Sequence, residues 1–171
     1  MSTEDATIKT ERLVLRPLAR SDADALTAIG TDDVFEMVPE ITTPFDAAGW
    51  IEHKLESEEP TICHVVLLAD EKTAVGFVQV NSDVGRQDYF FSAGYWFGRD
   101  HWGNGYATEA LSVALQFLWR KTKGQLRPIY AQVDQGNAAS RRVLEKCGFV
   151  PSPEAPKDGD PANMIWYRWH P

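Results

Sequence analysis

Cysteine is scarce in this chain: Cys63 and Cys147 are the whole supply, which excludes the disulfide framework that staples small secreted domains and leaves both thiols expected in the core. The four histidines, His53, His64, His101 and His170, lack the close spacing of a ligand set, so no metal is expected. Basic charge is also short. With 17 Lys and Arg against 25 Asp and Glu the net charge is −8 at pH 7, and a broad nucleic-acid footprint, which needs a basic face to displace counterions, is not expected. No apolar run is long enough to cross a bilayer, and residues 1–10 are polar, with Glu4 and Asp5, where a secretory signal would be basic and then apolar. The expectation is therefore a cytoplasmic protein with no membrane partner. Neither a repeat nor a low-complexity linker interrupts the 171 residues, so 1–171 reads as one domain, able to bury roughly two thirds of its unfolded surface around a single core.

Two nucleotide-binding motifs are missing as well. Gly-x-x-x-x-Gly-Lys-Ser/Thr does not occur, and Thr108 stands where a dinucleotide fingerprint would want a third glycine or alanine. What does occur is Trp102-Gly103-Asn104-Gly105-Tyr106-Ala107-Thr108, between a strand-like run, Phe91 to Phe97, and an amphipathic helical run, Ala107 to Lys121. Two glycines one residue apart let the backbone approach a bulky ligand, and the first N–H groups of a helix lack intrahelical acceptors, so this turn reads as an anion cradle. A tight strand-to-helix turn also needs glycine for steric reasons alone. An acidic protein must hold an anion by local fields: the turn amides and the helix dipole supply one part, and Arg99, Arg141, Arg142 and Lys146 lie near in sequence, unless they are solvated surface charges.

A second segment, Asp134 to Phe149, follows the apolar run Ile129 to Val133 and reads as turn and short helix. Asn137 suits the N-cap, Ser140 falls in the first turn, and Gly148 suits the left-handed residue that ends a helix. Elsewhere, Leu13 to Leu18 reads as a strand; Ser21 with Asp24 starts a helix that ends at Gly30; Asp46 caps a helix carrying Trp50, Ile51 and Leu55. His64 to Leu68, Ala74 to Asn81 and Tyr89 to Phe97 form an antiparallel meander, with turns at Asp70 to Lys72 and Ser82 to Gly85. Leu111, Ala114, Leu115 and Leu118 recur at helical spacing and must pack on the sheet. Phe149 starts another strand and Met164 to Trp169 alternates as the last, while Pro151, Pro153, Pro156, Gly159 and Pro161 mark a loop unable to pair as sheet.

The two segments together resemble the GNAT superfamily of acyl-CoA-dependent N-acyltransferases. The signature Gln/Arg-x-x-Gly-x-Gly/Ala maps onto Trp102, Gly103, Asn104, Gly105, Tyr106 and Ala107, with Trp102 in place of Gln or Arg. The run Trp-Gly-x-Gly-Tyr-Ala-Thr-Glu-Ala, the later Asn-x-x-Ser with Glu-Lys-x-Gly-Phe, and the opening Thr10-Glu11-Arg12-Leu13-Val14-Leu15-Arg16-Pro17 are similar to the branch that includes the ribosomal-protein N-terminal acetyltransferases. The resemblance implies an α+β fold, a central, mostly antiparallel twisted sheet of about seven strands flanked by about four helices. It implies acetyl-CoA as cosubstrate, no metal, a primary amine as acceptor (a small molecule or a protein N-terminus), direct attack in a ternary complex, and a monomer or homodimer.

Site roles follow from the same resemblance. Tyr95, Trp96 and Phe97 would offer backbone groups to the pantetheine arm and thioester; Trp102 to Thr108 would hold the phosphates; Asn137 would hold the arm and local backbone. Many members place a tyrosine acid seven residues after the Asn, but Leu144 stands there, and in the ribosomal branch a serine at the place of Ser140 serves instead. As a first-turn residue Ser140 could equally bond its own backbone. A glutamate often precedes the Gly-Tyr-Trp strand; here Phe91-Ser92-Ala93-Gly94 offers none, so Glu36, Glu40, His64, Asp134 or an ordered water remain as bases. The missing tyrosine and glutamate motivate an alternative, a catalytically silent acyl-CoA-binding module. The acceptor groove would be walled by Gly30 to Trp50, with Asp32, Asp33, Glu36 and Glu40 among Phe35, Met37 and Phe45, and by the proline-rich loop.

Overall fold

Leu13, Val14 and Leu15 are all buried, yet they belong to two different clusters: Leu13 and Leu15 face one side of their strand and Val14 the other. A strand apolar on both faces has to be covered on both, and that sets the layering. The structure, a computed structural model, describes residues 6–36, 38, 41–56, 62–83, 90–153 and 163–171. In chain order the elements are β1 (Ile8–Lys9), β2 (Leu13–Pro17), α1 (Ala23–Ile29), α2 (Asp32–Phe35), α3 (Ala47–Leu55), β3 (Ile62–Leu68), β4 (Ala74–Asp83), β5 (Phe90–Phe97), α4 (Tyr106–Lys121), β6 (Ile129–Asp134), α5 (Ala138–Lys146), β7 (Phe149–Pro151) and β8 (Met164–Trp169). The strands form one sheet in the order β1-β2-β3-β4-β5-β6-β8-β7, antiparallel throughout except between β5 and β6.

On one face lie α4 and α5, whose Leu111, Ala114, Leu115, Leu118 and Leu144 pack on Leu13, Val66, Val78 and Ile129. The stripe read from helical spacing is thus core. On the other face Leu26, Phe35, Ala47 and Ile51 from α1, α2 and α3 cover Val14, Val65, Phe77 and Trp96. The mixed, mostly antiparallel architecture and the β3-β4-β5 meander agree with the sequence reading, as do the caps: Asp46 accepts from Gly49 N–H at 3.0 Å, and Gly148 has φ +89° just after α5.

Two short elements extend the expected set, and three local expectations change. The sheet has eight strands and the described residues hold five α-helices; the two unforeseen elements, β1 and α2, are too short for any period to show in sequence. The helix does not start on a Ser21–Asp24 box: a 3₁₀ turn, Arg20–Asp22, precedes α1, and buried Asp22 accepts from Ala19 N–H at 2.8 Å while pairing with Arg16 at 2.5 Å. Ser82 and Asp83 continue β4 rather than turn, with residues 84–89 outside the described ones. Pro151 sits in β7 opposite Tyr167, which an edge strand permits because a proline there costs no ladder hydrogen bond; residues 154–162 lie outside the described ones.

Candidate active site

The geometry starts with a ladder that stops early. β5 pairs with β6 only at Phe91↔Ile129 and Ser92↔Tyr130; beyond that β5 stays with β4 as far as Phe97, while β6 stays with β8 as far as Asp134. The sheet therefore splits between the C-terminal halves of two parallel strands. Gly98 N–H bonds Val75 O at 3.0 Å, and by the two-residue alternation of an antiparallel ladder this turns the backbone groups of Trp96 towards β4 and those of Tyr95 and Phe97 into the split. Phe91 N–H, on the same parity, bonds Pro128 O at 2.9 Å across the paired end, which agrees.

Of the three β5 residues expected at the cofactor, Tyr95 and Phe97 thus present main-chain groups to the opening. Trp96 does not: its backbone faces β4 and its ring is buried in the opposite layer, its indole N–H without a partner among the described residues. Phe97 O is already occupied by the Trp102 indole, which donates from Nε1 at 2.7 Å. Trp102 is otherwise 46% exposed, and the Arg99 guanidinium lies over its ring at 4.7 Å while reaching Asp33 at 3.3 Å. Arg99, expected as a possible phosphate charge, is engaged in tying α2 to the glycine turn.

In that turn Gly103 and Gly105 both have φ +78°, the left-handed region where a Cβ is penalised, and Gly105 is the N-cap of α4. Glu109 N–H is the first to find a helical acceptor, Gly105 O at 3.0 Å, so the amides of Tyr106, Ala107 and Thr108 have no intrahelical partner. The turn is pinned from below by a residue that no site reading had singled out. Arg12 donates from Nη1 to Asn104 O at 3.0 Å, from Nε and Nη2 to Glu109 at 2.8 and 2.5 Å, and lies 5.1 Å from the Tyr106 ring centroid. Thr10 Oγ1 completes the carboxylate at 2.6 Å. Arg12 and Thr10 stand in the opening motif and Glu109 just past the second glycine, but nothing local in those segments announces a contact across about a hundred residues of chain.

The second segment closes the split from the other side. Asn137 caps α5, its Oδ1 accepting from Ser140 N–H at 3.0 Å. Ser140 Oγ lies 2.7 Å from the Tyr95 hydroxyl, which is also 3.1 Å from Ser140 O, so a β5 side chain spans the opening to reach α5. Burial pushes the Tyr95 phenol above its ordinary range, with the Ser140 hydrogen bond pulling the other way. Leu144, in the place of the absent tyrosine, is buried in the core. Cys147 anchors the end of α5 to α4: Ser112 Oγ donates to its Sγ at 3.3 Å and its S–H donates to Thr108 O at 3.4 Å. Both cysteines are free and buried, and burial lifts the Cys63 thiol to about 11.

Several candidates go elsewhere. His64 is buried, its Nδ1 accepting from Cys63 N–H at 3.1 Å and its Nε2 donating to Ala6 O at 2.7 Å; burial lowers its pKa. Asp134 binds its own turn, accepting from Gly136 N–H at 2.7 Å and from Asn163 Nδ2. Both ring nitrogens of His64 are thus engaged within the protein, and Asp134 is tied to the turn it starts. Arg141 donates to Gln135 O and Tyr167 Oη, both at 3.3 Å, and Arg142 and Lys146 are exposed. Of the expected acceptor wall, Phe35 is corrected to core: it meets Phe45 at 4.8 Å and Trp96 at 5.1 Å between ring centroids, inside the cluster under α1 to α3. Asp33 is held below the usual carboxylate range by Thr31 Oγ1–H at 2.5 Å and then by Arg99. Glu36 follows α2 and is exposed, whereas Met37 and Glu40 lie outside the described residues. Among the described residues no cluster of three potential metal ligands occurs, and no helix is long and apolar enough to cross a membrane.

Residues 12–150 match the family model for an acetyltransferase (GNAT) domain. An uncharacterised N-acetyltransferase of Bacillus licheniformis, p20, is 31% identical over 157 residues, covering 84% of this chain and 82% of its own. A crystal structure of an acetyltransferase from Agrobacterium tumefaciens strain C58 superposes with a TM-score of 0.78 at 26% identity, over 96% of this chain and 94% of the other. A ribosomal-protein-S5-alanine acetyltransferase from Vibrio fischeri shares the fold, with a TM-score of 0.73 at 22% identity over 96% and 99% of the two chains. On its sequence over most of its length, and on its fold, the chain belongs to the GNAT acetyltransferase family and is an N-acetyltransferase.

Proposed function

We propose that the protein moves an acetyl group from acetyl-CoA to a primary amine by direct attack in a ternary complex, with residues 1–171 acting as one catalytic domain in the cytoplasm. The observation that carries this reading is the split between β5 and β6, which opens beside the glycine turn and exposes main-chain groups of Tyr95 and Phe97 along one wall. Acetyl-CoA suits those residues. The amides of Tyr106, Ala107 and Thr108 and a helix dipole of about half a charge would receive the pyrophosphate, which explains how an acidic protein could hold an anion. Gly103 and Gly105 leave room for it, and Tyr95 N–H and O would pair with the amides of an extended arm as a neighbouring strand would.

A protonated amine has no lone pair, so the acceptor's ionisation decides what the site must do. An α-amino group of pKa about 7.8 is roughly one third neutral at pH 7.5, against about 0.1% for a lysine of pKa about 10.4. With no carboxylate ahead of Gly94 and with His64 and Asp134 engaged, the site fits an acceptor that arrives largely neutral, a protein N-terminus or a small amine of similar basicity. Ser140 Oγ would donate to the sulfur as it leaves; a thiol of pKa near 8.5 departs tolerably unaided, so removing that donor is expected to slow turnover by about 10-fold, less than the roughly 10²- to 10⁴-fold usual for general acid–base assistance.

Thiol release from acetyl-CoA, measured over polyamines, aminoglycosides, amino acids and N-terminal peptides, tests the reading. Turnover with α-amino acceptors is expected to exceed that with lysine side chains. A protein that is stabilised by acetyl-CoA but releases no thiol with any acceptor would instead be a silent binding module, and one whose melting does not respond to acetyl-CoA at 100 times a micromolar Kd, where about 2.7 kcal/mol is expected, binds something else.

A further inference from the structure

Leu144 on α5 is buried in the core, and the phenol that reaches Ser140 comes from the opposite wall of the split, on β5. The Tyr95 hydroxyl is 2.7 Å from Ser140 Oγ and 3.1 Å from Ser140 O, and Tyr95 is the only partner of Ser140 Oγ among the described residues. Asn137 fixes the Ser140 main chain and Cys147 fixes the far end of α5, so the serine rotamer is the remaining freedom, and Tyr95 controls it. We propose that Tyr95 is the positioning residue for Ser140, its hydroxyl donating to Ser140 Oγ so that the serine proton is aimed into the split at the leaving sulfur. This inference rests on the acetyl-CoA reading above.

Two hydroxyls carry two protons, and three acceptor positions compete for them. When Tyr95 donates to Ser140 O, the serine proton returns to the Tyr95 oxygen and nothing is offered to the split. When Tyr95 donates to Ser140 Oγ, the serine proton is released towards the ligand. Negative charge growing on sulfur favours the second arrangement, because only that one meets it with a donor. The proton account then balances. The C–S bond breaks with its electron pair going to sulfur; sulfur takes the Ser140 proton; Ser140 recovers one from the nitrogen, which as an ammonium in the tetrahedral adduct must lose a proton to become an amide. Nitrogen and sulfur are bonded to the same carbon at that stage, so one hydroxyl can serve both. Sulfur can take the serine proton only because the nitrogen replaces it in the same step; Tyr95, whose hydroxyl is engaged with Ser140, has no such replacement and keeps its own proton, and burial pushes its phenol above the ordinary value near 10.

The test is a double-mutant cycle on Tyr95→Phe and Ser140→Ala, with acetyl-CoA affinity read by calorimetry and folding by thermal melts. Expected are unchanged acetyl-CoA affinity and amine KM for Tyr95→Phe, a kcat lowered about 10-fold, and a double variant no slower than Ser140→Ala alone. A Tyr95→Phe enzyme with full kcat, or losses that multiply in the double variant, would overturn the inference while leaving Ser140 in its role. Undiminished kcat in Ser140→Ala would overturn this inference and the serine's role together, with acetyl-CoA binding as the separate check on the family reading. A second measurement works even if the phenylalanine variant melts early: 3-fluorotyrosine placed at 95, with its more acidic phenol, is expected to leave the pH profile of kcat in place. A displaced limb would mark the phenol as the net proton donor and refute a positioning role.

Discussion

Gly105 offers the sharpest separation of cradle from scaffold. Its φ of +78° puts it in the left-handed region, where an L side chain costs about 1–2 kcal/mol. A Cβ built there meets only Arg12 Nη2, at 3.7 Å, an ordinary contact, so Gly105→Ala adds no steric term to that strain. For a chain of this size each kcal/mol is about 2–4 °C of melting temperature, giving an expected loss of roughly 2–8 °C. Asn tolerates the same backbone region better, so Gly105→Asn is expected to recover most of that loss. Affinity is expected to move differently. Both side chains stand beside the amides of Tyr106, Ala107 and Thr108, and losing one hydrogen bond to a charged pyrophosphate, about 1.5–3 kcal/mol, weakens acetyl-CoA binding roughly 10- to 150-fold. Scanning calorimetry and titration calorimetry on the two variants separate the terms. An asparagine variant that is nearly as stable as the parent and binds acetyl-CoA with parental affinity would refute the cradle.

Two further outcomes follow from contacts already described. Replacing Arg12 by Met removes the donor to Asn104 O and the ion pair of Glu109, both part-exposed; stability is expected to fall by only about 1 kcal/mol while acetyl-CoA affinity falls several-fold, and a variant with intact affinity would deny that Arg12 shapes the turn. His64, buried and neutral, has its pKa depressed, so its contribution is fully present above the unfolded value near 6.5 and is lost as pH falls below it. Protonation also removes Nδ1 as acceptor for Cys63 N–H. Urea midpoints should therefore decline from pH 6.5 to 5 more steeply than in His64→Gln, and equal slopes would show that His64 carries no such penalty.

What the chain settles locally was legible in its residues. Helical spacing of Leu111, Ala114, Leu115 and Leu118 fixes which face of α4 is core, Asn137 and Asp46 mark their helix starts, and glycine at 103 and 105 marks a turn that needs positive φ. Each of these is decided within a few residues by periodicity, capping or backbone sterics. Elements of two or four residues, β1 and α2, escaped because no period can develop over so short a run. The site's assembly belongs to tertiary structure. Only the pairing of β5 with β4 and of β6 with β8 opens the split, only the fold brings Arg12 beneath Asn104 and Glu109, and only the approach of α5 to β5 sets the Tyr95 hydroxyl on Ser140. The same packing engages both ring nitrogens of His64 and ties Asp134 to its own turn. These contacts join residues far apart in the chain, and their geometry follows from how two apolar layers cover one sheet, which no local pattern encodes.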